Sequence, residues 1–228
     1  MSRPATIEDD DLIEAARAVF AELGMRATTA EIARRAGVSE GILFKRFRSK
    51  WELFHAVMLH IDRRGRAWTD GLAGRVGRGL LRDQLEAVAN EGIEFFRLLV
   101  PMHMMSGSSP EHTEIAKKEW GNTHPALESR RTFEAYFEAE RRLGRIGPVD
   151  SEVLARTFTG SIYNFVVMEI ITGPLEAQPM SQARFVRVYV DMLLGGIAGP
   201  SAAAPRTAPA GAAKIEPAAK RRRATRRG

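Results

Sequence analysis

Basic side chains are concentrated in one stretch near the N-terminus, residues 26–50. This stretch holds seven basic residues and only two acidic ones. The chain carries a formal net charge of +6, but segment 200–228 alone holds eight basic residues against one acidic residue, so the rest of the chain is slightly acidic. The overall charge therefore says little about a partner, whereas a local cluster of ammonium and guanidinium groups is suited to neutralising phosphates. The cluster consists of Arg26, Arg34, Arg35, Lys45, Arg46, Arg48 and Lys50.

Other chemistries find little support in the residue types. The chain has no cysteine, which excludes disulfides, thiolate zinc sites and cysteine nucleophiles. His103, His112 and His124 are too far apart for the close helical spacing that favours metal binding. The glycines of 74–79 lack the dinucleotide-binding spacing, and the serines of 106–109 lack the context of a nucleophile elbow. We therefore expect no catalytic residue, no metal and no cofactor, and an enzyme is the least supported class.

The elements that would position the basic cluster are short helices. Apolar residues recur at three-to-four spacing along the chain, without a convincing run of alternating β-branched residues, which predicts an all-α fold. Thr28 with Glu31, and Ser49 with Glu52, have the spacing of capping boxes, and Gly37 can end a helix in the left-handed conformation. The expected helix limits are Thr6 to Gly24, Thr28 to Ala36, Ser39 to about Phe47, and Ser49 to about residue 65.

Two short helices joined by a tight glycine-containing turn form the geometry that sets a recognition helix in the major groove of DNA. We therefore predict an N-terminal three-helix helix-turn-helix domain at 1–50. A helical domain at 51–199 follows, with a connecting helix at 50–66 and a connector at 65–79 whose glycines disfavour regular helix. The last segment, 200–228, is rich in alanine, proline and basic residues and is predicted to be disordered.

Further helices are predicted beyond the connector. Their expected ranges are from about Leu81 to a stop at Pro101, then about 111–120, 125–144, 151–172 and 181–197. The acidic N-terminus lacks the pattern of an export signal, and the most apolar stretch, 162–175, is shorter than the roughly 20 residues that a membrane-spanning helix needs. These features favour a cytoplasmic protein without a membrane partner.

The stretch TTAEIARRAGVSEGILFKRFRSKWELF resembles the signature of the TetR family of bacterial transcriptional regulators, and the resemblance covers about residues 7–60. It implies a homodimeric regulator, in the first instance a repressor, that binds a pseudo-palindromic DNA operator in the nucleoid and releases it when a small, apolar effector binds. Position by position, it implies that Thr28 and Thr29 meet phosphate and that Lys45 and Lys50 contact backbone oxygens. Arg46 is also assigned to the DNA contact surface. Residues on or near base edges would be Ser39, Gly41, Ile42 and Phe44. Ile42 and Phe44 depart from the hydroxyl-bearing residues common in the family, which suggests readout through methyl contacts and DNA shape.

The C-terminal helices carry two further predicted sites. An adaptable apolar pocket is expected from aromatic and methionine side chains, although ordinary core is the alternative for each of them: Phe95, Phe96, Met102, Met105, Trp120, Phe133, Phe137 and Tyr163. By resemblance, the last two helices would build a two-fold dimer interface, for which the internal core is again the alternative: Phe158, Ile162, Phe165, Phe185, Tyr189 and Leu193.

A different class of function also fits the charge pattern. The chain could be an architectural DNA-binding protein that uses its basic tail and reads neither sequence nor ligand. A footprint confined to one inverted repeat would favour the regulator, and uniform coverage would favour the architectural protein. The tail itself could contact DNA as a flexible polycation or have no role in binding.

Overall fold

The computed structural model describes residues 9–106, 114, 117, 118 and 124–196. Every regular element in these residues is helical, and they contain no strand, which confirms the predicted all-α class. No helix among them has the length and apolar character needed to cross a membrane. The expected cap at Thr6 and the tail 200–228 lie outside the described residues, as does most of the helix expected at 111–120.

Nine α-helices are described, with short 3-10 turns at Gly24–Arg26 and Gly173–Leu175. The helices are α1 (Asp9–Leu23), α2 (Thr29–Ala36), α3 (Glu40–Arg46), α4 (Lys50–Asp70), α5 (Leu72–Arg75), α6 (Leu81–Ser106), α7 (Pro125–Arg142), α8 (Ser151–Ile171) and α9 (Gln182–Gly195). As far as Leu194 the chain forms one compact unit. The division into domains at residue 50 stays a prediction.

Gly65 and Pro101 were expected to end helices, but both lie inside helices. α4 continues through Gly65 to Asp70, and α5 follows at once, so most of the expected irregular connector is helical. Gly65 is tolerated there because the Phe95 ring occupies the space where a Cβ would project. α6 likewise runs through Pro101, and the buried Val100 and Met102 on either side hold the helix against the core despite the missing N–H.

The centre of the molecule is an aromatic cluster contributed by α4, α6, α7 and α8. The Trp68 ring of α4 lies 4.9 Å from Phe133 and 5.2 Å from Phe96, measured between ring centroids. Phe158 of α8 lies 5.6 Å from Phe133. Trp68 also donates its indole N–H to the backbone carbonyl of Val88 at 2.8 Å, so this large side chain is both buried and satisfied.

A buried carboxylate fixes the turn between α5 and α6. Glu140 at the end of α7 is completely buried, and its Oε1 accepts the backbone N–H of Gly77 at 3.1 Å. The Arg145 Nε lies 3.2 Å from the other carboxylate oxygen, and the same guanidinium donates to the carbonyls of Arg78 and Gly79. The Gly77 turn is therefore held against the C-terminal end of α7 by charge-assisted hydrogen bonds.

Candidate nucleic-acid interface and effector cavity

The predicted capping box at the start of α2 is formed. The Thr28 hydroxyl accepts the Glu31 N–H at 3.2 Å, and a Glu31 carboxylate oxygen accepts both the Thr28 N–H and the Thr28 O–H at 2.8 Å. These bonds lower the pKa of Glu31 below its usual value. The first turn of α2 is thereby fixed with Thr28 exposed beside it.

The turn and the recognition helix also follow the predicted pattern. Gly37 ends α2 with φ +70°, a left-handed conformation that glycine adopts without strain, and Ser39 caps α3 by accepting the Ile42 N–H. Leu43 is completely buried and anchors α3 to the rest of the unit. Ile42 and Phe44 are 38% and 46% exposed, so α3 presents two apolar side chains to solvent.

The seven cations of the basic cluster fall into three groups. Arg35 pairs with Glu22 and Arg46 pairs with Asp9, both on α1. Lys50 is half-buried, and its ammonium donates to the carbonyls of Met25 at 2.8 Å and Ala27 at 3.3 Å. The remaining four make no ion pair with another residue that the structure describes, and all are exposed: Arg26, Arg34, Lys45 and Arg48.

Two predicted phosphate contacts already have protein partners. The Lys50 ammonium is bonded to the loop before α2, and the Thr29 hydroxyl donates to the Glu40 carboxylate at the start of α3. Both side chains therefore hold α2, α3 and α4 in their relative positions. The second capping box is only half formed, because Ser49 accepts the Glu52 N–H but Glu52 accepts the N–H of Arg48 instead of that of Ser49.

A cavity of about 730 Å³ lies among α4, α6, α7 and α8. Of the predicted pocket residues, Phe95, Phe96 and Tyr163 line it. Trp120 lies outside the described residues. The other four do not line it, in keeping with the core alternative: Met102, Phe133 and Phe137 are buried in the core, and Met105 packs partly buried against it.

Polar and charged groups that the aromatic pattern did not indicate also line the cavity. They come mainly from α4 and from the first turns of α7, and include Asp62, Asp70, His124, Glu128, Arg130 and Arg131. At His124 burial lowers the pKa below its usual value, and the ring Nδ1 accepts the Ala126 N–H at 3.2 Å. No periodicity in the sequence could have found these residues, because they meet only through the packing of α7 against α4.

The outer face of α8 and α9 differs from the predicted dimer surface. Phe158, Ile162 and Tyr189 are buried within the single chain, which is the internal-core alternative for these three residues. Phe165 and Phe185 are half-buried and stack with ring centroids 4.4 Å apart. Leu193 is also half-buried. The exposed apolar side chains on these two helices are Val153, Met168, Ile170, Ile171, Val188, Met192 and Leu194.

The α1–α4 region matches the family model described as "Bacterial regulatory proteins, tetR family" over residues 12–57. This range contains the formed capping box, the glycine turn and α3. The N-terminal region of the chain therefore resembles the TetR family. The HTH-type transcriptional regulator BetI of Proteus mirabilis (strain HI4320) is 49% identical over 58 residues, which cover 25% of this chain and 29% of BetI. The chain therefore matches less than a third of the length of that curated relative.

Solved structures extend the similarity to the whole helical unit. A protein from Mesorhizobium loti MAFF303099, assigned to the TetR family of transcriptional regulators, has a TM-score of 0.67 at 18% identity, covering 85% of this chain and 98% of its own. FadR from Bacillus subtilis, a transcriptional regulator in complex with stearoyl-CoA, has a TM-score of 0.63 at 14% identity, covering 84% of this chain and all of its own, 100%. At these identities the likeness establishes a shared fold.

The cavity-lining helix α6 lies beside the turn that precedes α2. α6 contributes Phe95, Phe96 and His103 to the cavity, and two residues further on it presents Met105. The Met105 Sδ lies 3.7 Å from the position that a Cβ on Gly24 would take, in the turn between α1 and α2. The carbonyl of the next residue, Met25, accepts from Lys50. The turn that supports α2 is thus in contact with both α6 and α4.

Proposed function

We propose that this chain is a homodimeric transcriptional regulator of the TetR family, a repressor, that binds a pseudo-palindromic operator through α2 and α3 and releases it when a small molecule fills the cavity. The observation that carries the proposal is the surface of α3, where exposed Ile42 and Phe44 stand beside Gly41 and unpaired cations. Isolated exposed apolar side chains are unremarkable, but a pair on a short capped helix within a basic patch is suited to thymine methyl groups in the major groove.

The backbone contacts of the operator would come from the unpaired cations. Lys45 lies in the last turn of α3 and Arg48 follows that helix, whereas Arg34 lies in the last turn of α2 and Arg26 precedes it. We assign phosphate neutralisation to these four residues, and we keep Thr28 as a phosphate ligand at the start of α2. Lys50 and Thr29 would support the geometry, and Arg46 would reach DNA only by leaving Asp9. Ser39 and Gly41 would allow close approach of α3 to base edges.

Dimerisation would use the outer face of α8 and α9, continuous with the half-buried Phe165, Phe185 and Leu193. One recognition helix reads too few base pairs for useful specificity, and a two-fold dimer doubles the contact. The exposed Val188 and Met192 are one turn apart on α9, where a second copy would cover them. A homodimer bound to DNA would reside in the cytoplasm, with the nucleoid.

The cavity would bind the effector, an amphiphile whose apolar part contacts Phe95, Phe96 and Tyr163 and whose polar part meets the charged first turns of α7. The FadR structure shows that a neighbour of this fold binds stearoyl-CoA. Occupancy would be transmitted through α6 to the Gly24 turn, so that the two α3 helices of the dimer no longer match the operator.

A gel-shift experiment tests the proposal, using the DNA upstream of the gene and a scrambled duplex of the same composition. We expect tight binding to one upstream segment only, and weakening of that complex by an effector found in a thermal-shift screen that begins with long-chain acyl-CoA. A compound that stabilises the protein without changing DNA affinity would show a ligand cavity but not a sensor. Equal affinity for all duplexes would favour the architectural alternative, in which the tail 200–228 supplies the binding charge.

A further inference from the structure

We propose that Glu40 determines specificity by reading a cytosine in each half of the operator. The inference rests on the proposed DNA-binding function and deepens it. Glu40 is the first residue of α3 and is exposed on the surface that we assign to the major groove. A carboxylate in this basic, phosphate-facing surface would repel DNA unless it also met a donor on a base edge.

Glu40 is held in position but is not neutralised. One of its oxygens accepts the O–H of Thr29, the first residue of α2. The carboxylate takes no ion pair and no other hydrogen bond from a residue within the described ranges. Glu31, the other acidic residue of the 26–50 cluster, differs because its carboxylate is engaged by the Thr28 backbone and hydroxyl. The Glu40 carboxylate therefore keeps unused acceptor capacity beyond its bond to Thr29.

The major groove offers few partners to such a carboxylate. Cytosine presents an N4 amino group as donor, whereas guanine and thymine present acceptors that a carboxylate would repel. Adenine presents the N6 donor together with the N7 acceptor, a pair that suits an amide better than a carboxylate. A carboxylate fixed over a base edge therefore favours cytosine, and disfavours the other three bases.

The position of the cytosine relative to other contacts follows from helix geometry. Glu40 and Phe44 are four residues apart on α3 and share one face, and both are exposed. They are separated by about 6 Å along the helix axis, and successive base pairs are about 3.4 Å apart. We therefore place the cytosine one or two base-pair steps from the thymine whose methyl group Phe44 contacts.

The test is a comparison of base preference at every operator position for the full-length protein and its Glu40→Gln and Glu40→Ala variants. Binding of a library of singly substituted operators would be measured at one salt concentration. We expect the unmodified protein to favour cytosine at one position per half-site by about 5- to 150-fold. Glu40→Gln should shift that preference to adenine, and Glu40→Ala should bind all four bases at that position within about two-fold.

Two further variants separate base readout from general charge and from folding. Glu22→Gln removes the same charge from α1, where Glu22 pairs with Arg35, and should leave the base profile unchanged. Thr29→Val removes the hydroxyl that orients Glu40 and should reduce the cytosine preference without moving it to another base. Because Glu40 is exposed, loss of its bond to Thr29 should lower the unfolding temperature only slightly.

Failure of the cytosine assignment and failure of the proposed function would give different results. A parent protein that discriminates among operator bases, with the same profile in Glu40→Gln and Glu40→Ala, would overturn the cytosine assignment and leave the regulator intact. A parent protein without base preference at any position would overturn the proposed function itself. A Glu40→Ala variant whose affinity rises equally for operator and for random DNA would show that Glu40 only repels phosphate. That result would also reject the cytosine assignment.

Discussion

Substitution of Lys50 can distinguish a structural role from a phosphate-binding role, because its ammonium already donates to two backbone carbonyls of the protein. Nζ lies 2.8 Å from the Met25 carbonyl and 3.3 Å from the Ala27 carbonyl, at the turn that precedes α2. Hydrogen bonds that involve a charged group contribute about 1.5–3 kcal/mol when they are well formed. One bond here is short and the other long, and the side chain is half-buried, so we expect Lys50→Ala to lower the free energy of unfolding by about 2 kcal/mol.

Lys45→Ala is the matched control, because Lys45 is exposed and makes no ion pair with a described residue. If Lys45 neutralises one phosphate per subunit, its loss should reduce the salt slope of log affinity by about 1.8 per dimer and leave unfolding unchanged. Lys50→Ala should show the opposite pattern, with lower stability and a nearly unchanged slope. Urea unfolding and fluorescence-anisotropy salt titrations measure the two quantities. A Lys50→Ala protein of parental stability whose slope falls like that of Lys45→Ala would refute the supporting role.

Further predictions concern base readout, the dimer and the core. Phe44→Ala should weaken operator binding by about 1–3 kcal/mol but scrambled DNA hardly at all, and equal losses on both duplexes would remove Phe44 from base readout. Val188→Asp should convert the dimer to monomer in light scattering, because it would bury an unpaired charge at the proposed interface. A variant that stays dimeric would place the interface elsewhere. Gly92→Ala should destabilise the chain by about 1–3 kcal/mol in urea unfolding, because a Cβ at Gly92 would lie 2.6 Å from the Trp68 ring. Parental stability would mean that the Trp68 ring moves freely.

The N-terminal helices were predictable because their signals are local. The Thr28 capping box, the left-handed Gly37 and the Ser39 cap each depend on residues three or four positions apart, and all were confirmed. Such side-chain-to-backbone bonds form within one helical turn and need little from the rest of the fold. The limits of α2 and α3 follow directly from them.

The pocket and interface residues of the C-terminal helices could not be predicted from the sequence, because their surroundings depend on which helices pack together. Phe133, Phe137 and Phe158 have the spacing of a pocket or an interface, but α7 and α8 turn all three into the same core. Gly65 reads locally as a helix breaker, yet the Phe95 ring of another helix fills the space beside it. The polar lining at His124 and Arg130 arises from long-range packing and leaves no periodic trace. Helical periodicity shows which face of a helix is buried, but not which other helices cover that face.

Hydroxyl-radical footprinting of the purified protein on its upstream DNA tests the central claim most directly. Two recognition helices related by a two-fold axis should protect two patches centred about one helical turn apart, within one inverted repeat. Saturating effector should remove both patches together. Protection that spreads evenly along the duplex, or a single patch without a symmetric partner, would contradict the account of a dimeric, sequence-reading regulator.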